Sequence, residues 1–313
     1  MKDLRQLPKL RDSLSYLYVE HCRVEREEQS IALFDAEGRT PVPCANLALL
    51  LLGPGTRITH AAVSTLADNN CLLAWCGEEG VRLYAFGCGG TRGAATLLQQ
   101  ARLVSDPESR LAVAKRMYQM RFREEPDPHL NLEQLRGWEG RRVRDAYARA
   151  SRETGVPWQG RSYDRTTWAG SDPVNRALSA ANSCLYGVCH AAILSLGLSP
   201  ALGFIHTGKA LSFVYDVADL YKTEVTIPVA FEVAAGGVLH VERRSRLGCR
   251  DRFRELNLLE RLSRDLPRML ELPDEDVDAF FAADEDMALP GSLWDPERAE
   301  GAVGGVNHGD PDS

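Results

Sequence analysis

The sequence predicts an α+β chain: a β-rich N-terminal domain, a larger all-α domain, and a disordered acidic C-terminal tail. Three observations carry this. Apolar spacing changes from runs and period-two alternation to period 3.6 across the glycine-rich segment "GCGGTRG", residues 87 to 93. Residues 271–313 hold 13 acidic side chains and one basic, Arg298, whereas the remaining 270 residues hold 36 basic and 31 acidic. From about residue 285 the chain is dominated by Gly, Pro, Asp and Glu, too poor in apolar side chains to offset the entropy of ordering. The expected boundaries are 1–87, a linker at 88–93, 94–284, and 285–313.

Each element follows from local chemistry. "SLSYLYVEHCRVERE" and "SIALFD" alternate or run apolar with β-branched and aromatic content, and predict strands. "FDAEGRTPV" predicts a hairpin turn at Asp35 and Gly38. "ANLALLLLG", "NCLLAWCG" and "VRLYAFG" are further strands ended by glycine. One helix interrupts them, with Thr59 as its N-cap. After residue 93 helical spacing recurs in "AATLLQQARLV", "ESRLAVAKRMYQMRF", "NLEQLRGWEGRRVRDAYARAS", "DPVNRALSAANSCLYGVCHAAILSLG", "FVYDVADLYK" and "CRDRFRELNLLERLSRDLPRML". Asp172 caps the fourth, with Pro173 at its first position. Ser212 is the expected cap of the fifth.

Composition excludes several classes. Hydrophobic residues make up 44% and charged residues 26%, a globular balance. No apolar run approaches the roughly 20 residues that span a bilayer, and the N-terminus has no signal-peptide h-region, so a cytoplasmic protein is expected. The eight cysteines form no C-x-x-C, which removes zinc-finger and thioredoxin readings. They read as small core residues in a reducing compartment. The net charge of -7 hides a basic body, so a polyanionic ligand stays open.

Four groups of residues could carry chemistry. Glu139 lies mid-helix between Gly137 and Gly140, flanked by arginines. It is either a surface partner of Arg142 or part of a site that another backbone or a ligand approaches closely. His206 is either a bonded core histidine or a ligand. Asp216 and Asp219, three apart among apolar residues, share a helical face. Burying two carboxylates there requires strong donors or a cation, and histidine plus carboxylates suit a divalent metal. The arginines of 136–152 and 243–254 are either a solvated face or phosphate contacts. Trp158, Tyr163 and Trp168, interleaved with Arg161 and Arg165, either stack nucleobases or anchor a loop.

Together, "LRGWEGRRVR", "GRSYD", "NSCLYGV", "GFIHTGKALSFVYDVADLYK" and "RLGCRD", in this order, resemble the universal integrase-nuclease of CRISPR adaptation, nearest to its type I-E branch. "PGTRITHAAV" and "GVRLYAFG" extend the resemblance, which covers roughly residues 8–260. It implies a β domain followed by a helical one. It implies that Glu139, His206 and Asp219 bind Mg2+ or Mn2+, with Asp216 as a second acid at the catalytic site. It implies phosphate contacts from Arg57, Arg82, Arg136, Lys209, Arg246 and Arg250. Tyr163, Trp168, Lys209 and Tyr215 match a pocket that reads a flanking sequence, and His21 stands where the branch places a wedge tyrosine. The implied partners are double-stranded DNA with 3′ overhangs, CRISPR repeat DNA, a second copy of the chain in a homodimer, and a dimer of a small ferredoxin-like protein. No membrane partner is implied. "MALPGSLWDP", residues 287–296, is expected to dock on that small protein. The implied reaction joins a 3′-hydroxyl end to the repeat. A general metal-dependent DNA-repair nuclease and a non-catalytic DNA-binding scaffold are the competing readings.

Overall fold

The computed structural model describes residues 15–69, 71–77, 83–87, 95–122, 130–161, 172–272, 293–295 and 298–302. The β-rich part is two four-stranded sheets. β1 (Ser15–Val19), β5 (Leu47–Leu52), β7 (Leu72–Cys76) and β8 (Leu83–Gly87) form the first, in the order β1-β5-β7-β8. Its first three strands are parallel and β8 is antiparallel to β7. β2 (Arg23–Glu27), β3 (Ser30–Asp35), β4 (Gly38–Val42) and β6 (Arg57–Ile58) form the second, in the order β4-β3-β2-β6. The expected turn is present: Asp35 accepts hydrogen bonds from the amides of Glu37 and Gly38. Helix α1 (His60–Asp68) starts at Thr59, whose side chain accepts from the Ala62 amide.

The run "LALLLL" of β5 is continuously apolar because both of its faces are covered. Leu50 and Leu52 join the core between the sheets and α1, whereas Leu49 and Leu51 pack toward Ala191 of the helical part.

The helical part comprises α2 (Ala95–Ser105), α3 (Pro107–Phe122), α4 (Leu132–Thr154), α5 (Pro173–Ser195), α6 (Ser212–Asp219), α7 (Thr226–Ala235), α8 (Val241–Glu255) and α9 (Leu258–Met269). The buried axis is α5, which packs against α6, α7, α8, α9 and the first sheet. Its Pro173–Leu194 stretch is long and apolar enough to cross a bilayer by length and composition, but 72% of that window is buried in the protein, as befits a core helix. Asp172 caps it, accepting from the amides of Val174 and Asn175. Seven of the cysteines are buried free thiols, and Cys88 lies outside the described residues.

Four expectations differ from the structure. Helix α7 was not foreseen: "TIPVAFEVAA" is apolar nearly all round, so it carries little periodicity. The last predicted helix is two, α8 and α9, because Asn257 adopts a left-handed conformation at φ 45°. Ser212 does not cap α6: it is the first helical residue, and its hydroxyl donates to the Lys209 carbonyl instead. Within the tail expected to be disordered, β9 (Leu293–Asp295) and β10 (Arg298–Ala302) pair antiparallel. The rest of 285–313 lies outside the described residues, as do the linker residues 88–93.

Candidate active site

The site forms where α3, α4, α6 and the turn before α6 meet. Asp216 is its inner anchor, with a side chain that has no exposed surface. It accepts hydrogen bonds from the backbone amides of Phe204 at 2.6 Å, Ile205 at 3.0 Å and His206 at 2.9 Å. The turn can wrap so closely only because residue 203 is glycine. A Cβ there would stand 2.5 Å from the His206 carbonyl oxygen and 3.0 Å from Asp216 Oδ2. Arg110 of α3 braces the outside of the turn, donating to the carbonyls of Phe204 at 2.9 Å and Gly203 at 3.2 Å.

The fourth bond to Asp216 fixes His206. Nδ1 lies 2.6 Å from Asp216 Oδ1, and a carboxylate there holds the proton on Nδ1. Nε2 is then the lone-pair nitrogen, on a ring that is 44% exposed. The hydrogen bond to Asp216 raises the His206 pKa, burial opposes it, and the charges of Asp216 and Asp219 add to the rise. Asp216 is therefore placed as a positioning residue, its oxygens facing four donors.

Asp219, three residues on, faces a different setting. Lys222 Nζ lies 2.5 Å from its Oδ1 and Arg121 Nη1 lies 3.7 Å from its Oδ2. The same Arg121 nitrogen pairs with Glu139 Oε1. Glu139 thus does not pair with Arg142, which stacks instead over Trp138 at 5.3 Å. Burial would lower the Lys222 pKa, but Asp219 and Tyr186 outweigh it and the net shift is upward. Tyr118 faces Glu139 from α3; burial first, and the Glu139 charge second, raise its phenol.

The chain therefore brings Glu139 and Asp219 onto one positive charge and ties His206 to Asp216. Among the described residues, no three such side chains already stand in a metal-binding group. The donor set nonetheless fits a divalent cation. Two carboxylates already share a cation, and His206, near enough for the Asp219 charge to act on it, has its outer nitrogen left free by the carboxylate behind it.

The other predicted positions scatter. Arg57 on β6, Arg136 on α4 and Lys209 before α6 are exposed. Tyr215 is half-buried, its ring 5.1 Å from Tyr186 and 5.9 Å from His206. Arg246 stacks over Tyr18 of β1 at 4.3 Å, joining α8 to the first sheet. Arg250 pairs with its neighbour Asp251. His21 is exposed, in a left-handed conformation at φ 50°. Arg82, Tyr163 and Trp168 lie outside the described residues. Trp158 is a loop anchor, stacked on Tyr147 at 4.4 Å, and Arg161 holds Asn175 and Ser179 of α5. Gly137 meets no described atom where a Cβ would be, and Gly140 meets only Arg144, so neither glycine is required by packing within the described chain. Sequence reasoning missed Arg110, Arg121 and Lys222. Only Lys222 had a local signal, its i,i+3 spacing from Asp219.

A parallel-cored sheet and a mainly antiparallel one followed by a helical part, with an acid pair and a nearby histidine among arginines, are features of the class that the sequence resembles: the CRISPR-associated proteins of the integrase-nuclease kind. The sequence model of the family described as "CRISPR associated protein Cas1" matches residues 15–127 and 121–249. The chain belongs to the Cas1 family. It is 56% identical over 315 residues to "CRISPR-associated endonuclease Cas1 2" of Thermus thermophilus, covering 99% of this chain and 95% of that protein. It is 47% identical to "CRISPR-associated endonuclease Cas1" of Geobacter sulfurreducens, covering 88% and 90%. The crystal structure of a TtCas1–DNA complex superimposes with a TM-score of 0.68 at 59% identity, covering 84% of this chain and 99% of that one.

Proposed function

We propose that this chain is a metal-dependent DNA endonuclease and integrase of CRISPR adaptation, of the type I-E branch and acting in the cytoplasm. The observation that carries the reading is the convergence of Glu139 and Asp219 on one positive charge, beside a histidine fixed by Asp216. Membership of the Cas1 family, relatives named as endonucleases, and a DNA complex of a similar chain support it.

The reaction is a transesterification. The 3′-hydroxyl oxygen of captured DNA forms a bond to a repeat phosphorus, and the bond from that phosphorus to the repeat's own 3′-oxygen breaks. The attacking hydroxyl loses its proton and the departing 3′-oxygen gains one. Water in place of the hydroxyl gives hydrolysis. Glu139, Asp219 and Nε2 of His206 would hold Mg2+ or Mn2+, which when bound polarises the phosphoryl oxygen and offsets charge developing on it. Asp216 keeps the Nδ1 proton in place, so in the neutral ring the outer nitrogen of His206 presents its lone pair. Arg57, Arg82, Arg136, Lys209, Arg246 and Arg250 guide phosphates, and binding through them weakens as salt rises. For Arg246, this means exchanging its Tyr18 stack for a phosphate. Tyr163, Trp168, Lys209 and Tyr215 form the flanking-sequence pocket, and His21 stacks at the duplex end. The chain acts as a homodimer with a ferredoxin-like partner dimer, to which residues 287–296 dock. β9, within that segment, offers strand addition as the mode.

The test mixes labelled short duplex with 3′ overhangs, a supercoiled repeat plasmid and the partner protein. Joining is expected with Mn2+ and not with EDTA, and Asp219→Ala is expected to reduce it at least about 100-fold. Joining that survives Asp219→Ala removes the site assignment. A plasmid that is only nicked favours the repair nuclease, and binding without either reaction favours the scaffold.

A further inference from the structure

We propose that Arg121 is a resident cation of the Glu139–Asp219 pair, and that its guanidinium must swing into an adjoining cavity before a divalent cation can occupy that pair. The proposal rests on the metal-site reading above and adds the residue that sets metal affinity.

Charge balance comes first. Glu139 and Asp219 are matched by Arg121 and Lys222, two negative groups against two positive ones. A divalent ion entering this quartet would leave a net charge of about +2 in a largely buried cluster, which is costly unless a cation departs. Geometry says which cation departs. Arg121 Nη1 contacts Glu139 and lies 3.7 Å from Asp219, so it takes the space between the two acids. A Mg2+ or Mn2+ ion needs carboxylate oxygens at about 2.1 Å, so it cannot share that space with a guanidinium. Lys222 approaches only Asp219, through its other oxygen, and its ammonium sits over the Tyr186 ring at 5.1 Å.

Arg121 also has somewhere to go. It lines one wall of a cavity of about 590 Å3 between α3, α4 and α7. Asp145 and Glu153 line the same cavity together with Arg142 and Arg149, and Glu224, also in its lining, accepts from Arg261 at 2.7 Å; the Phe122 ring lies beside the Arg121 guanidinium. In the present pose the side chain is only 6% exposed, and its Nε has no hydrogen-bond partner among the described residues. The guanidinium is thus incompletely satisfied where it sits, and the cavity gives the long side chain room to rotate. Such a rotation leaves Glu139 and Asp219 facing a divalent ion. Metal entry is therefore a competition within the protein, and Arg121 keeps the acid pair neutralised when no metal is bound.

The experiment titrates Mn2+ into the full-length protein and follows free Mn2+ by electron paramagnetic resonance, with thermal unfolding in parallel. Arg121→Gln is expected to tighten Mn2+ binding at least tenfold, to lower the metal-free melting temperature, and to enlarge the rise in melting temperature on adding Mn2+. Arg121→Lys keeps a charge on a shorter side chain without the planar guanidinium, and is expected to give a smaller gain; it carries the test if the glutamine variant does not fold. Glu139→Gln in the wild-type background is expected to abolish the Mn2+ site. Unchanged or weaker Mn2+ binding in folded Arg121 variants, with Glu139→Gln still abolishing the site, overturns the role of Arg121 alone. Equal Mn2+ binding by wild type and Glu139→Gln overturns the metal-site reading and this inference with it.

Discussion

Asp216 and Asp219 lie three residues apart on one short helix, yet they are opposite in kind. Asp216 is sealed, and every lone pair direction it has is taken by an amide or by the imidazole it orients. Asp219 is 17% exposed, faces two cations, and looks toward a second acid from another helix. The same carboxylate serves as a keystone in one place and as a cation site in the other. What decides is the supply of donors: backbone amides fixed by a turn are permanent, whereas cationic side chains can leave.

The strongest way to break this contrast is to remove each acid and measure stability. Asp216→Ala leaves three amides and a histidine without their acceptor and is expected to cost about 3–5 kcal/mol in urea unfolding. Asp219→Ala is expected to cost less, about 2 kcal/mol, because Arg121 keeps Glu139 and Lys222 keeps the Tyr186 ring. Equal losses would erase the distinction.

The histidines repeat the pattern and allow a pH test. His190 is buried beside Phe86, at 4.3 Å between rings, and neither ring nitrogen has a hydrogen-bond partner among the described residues. Burial lowers its pKa to about 4. A base whose folded pKa lies below its unfolded value binds more protons when unfolded. Stability is thus full above pH 6.5 and is lost as the pH falls toward 4. The loss is on the order of 3 kcal/mol at about 1.4 kcal/mol per unit. His190→Phe is expected to abolish that part of the acid sensitivity in urea titrations at pH 7 and pH 4.5. His206, held by Asp216, shifts the other way.

A smaller effect sharpens the account of the turn. Arg110→Ala removes both bonds to the carbonyls of Gly203 and Phe204 and is expected to cost about 2 kcal/mol. Because the turn carries the amides that hold Asp216, the same change is expected to weaken Mn2+ binding severalfold. Loss of stability with unchanged Mn2+ affinity would make Arg110 structural only.

Much of this was legible in the sequence where the signal is local. Thr59, Asp172 and the Asp35 turn act through residues two to three positions away, and the structure has each as the sequence predicts. Spacing also placed Asp216 and Asp219 together and near His206. It could not distinguish their roles, because the donors to Asp216 are backbone amides 10 to 12 residues earlier and any sequence supplies amides. Nor could it select Arg110 and Arg121 from so many arginines, since their partners lie on other elements. Helix α7 escaped because burial on nearly all sides erases periodicity, and β9 and β10 escaped because tail composition averages away a short paired stretch.

The most direct test of the central claim, that Glu139, His206 and Asp219 share one cation, is anomalous diffraction from crystals of the protein grown with Mn2+. The account predicts a single strong peak about 2.1 Å from a carboxylate oxygen of Glu139, a carboxylate oxygen of Asp219 and Nε2 of His206, with Asp216 still on Nδ1. A peak bounded by other residues, or one that leaves any of the three beyond about 4 Å, would contradict it.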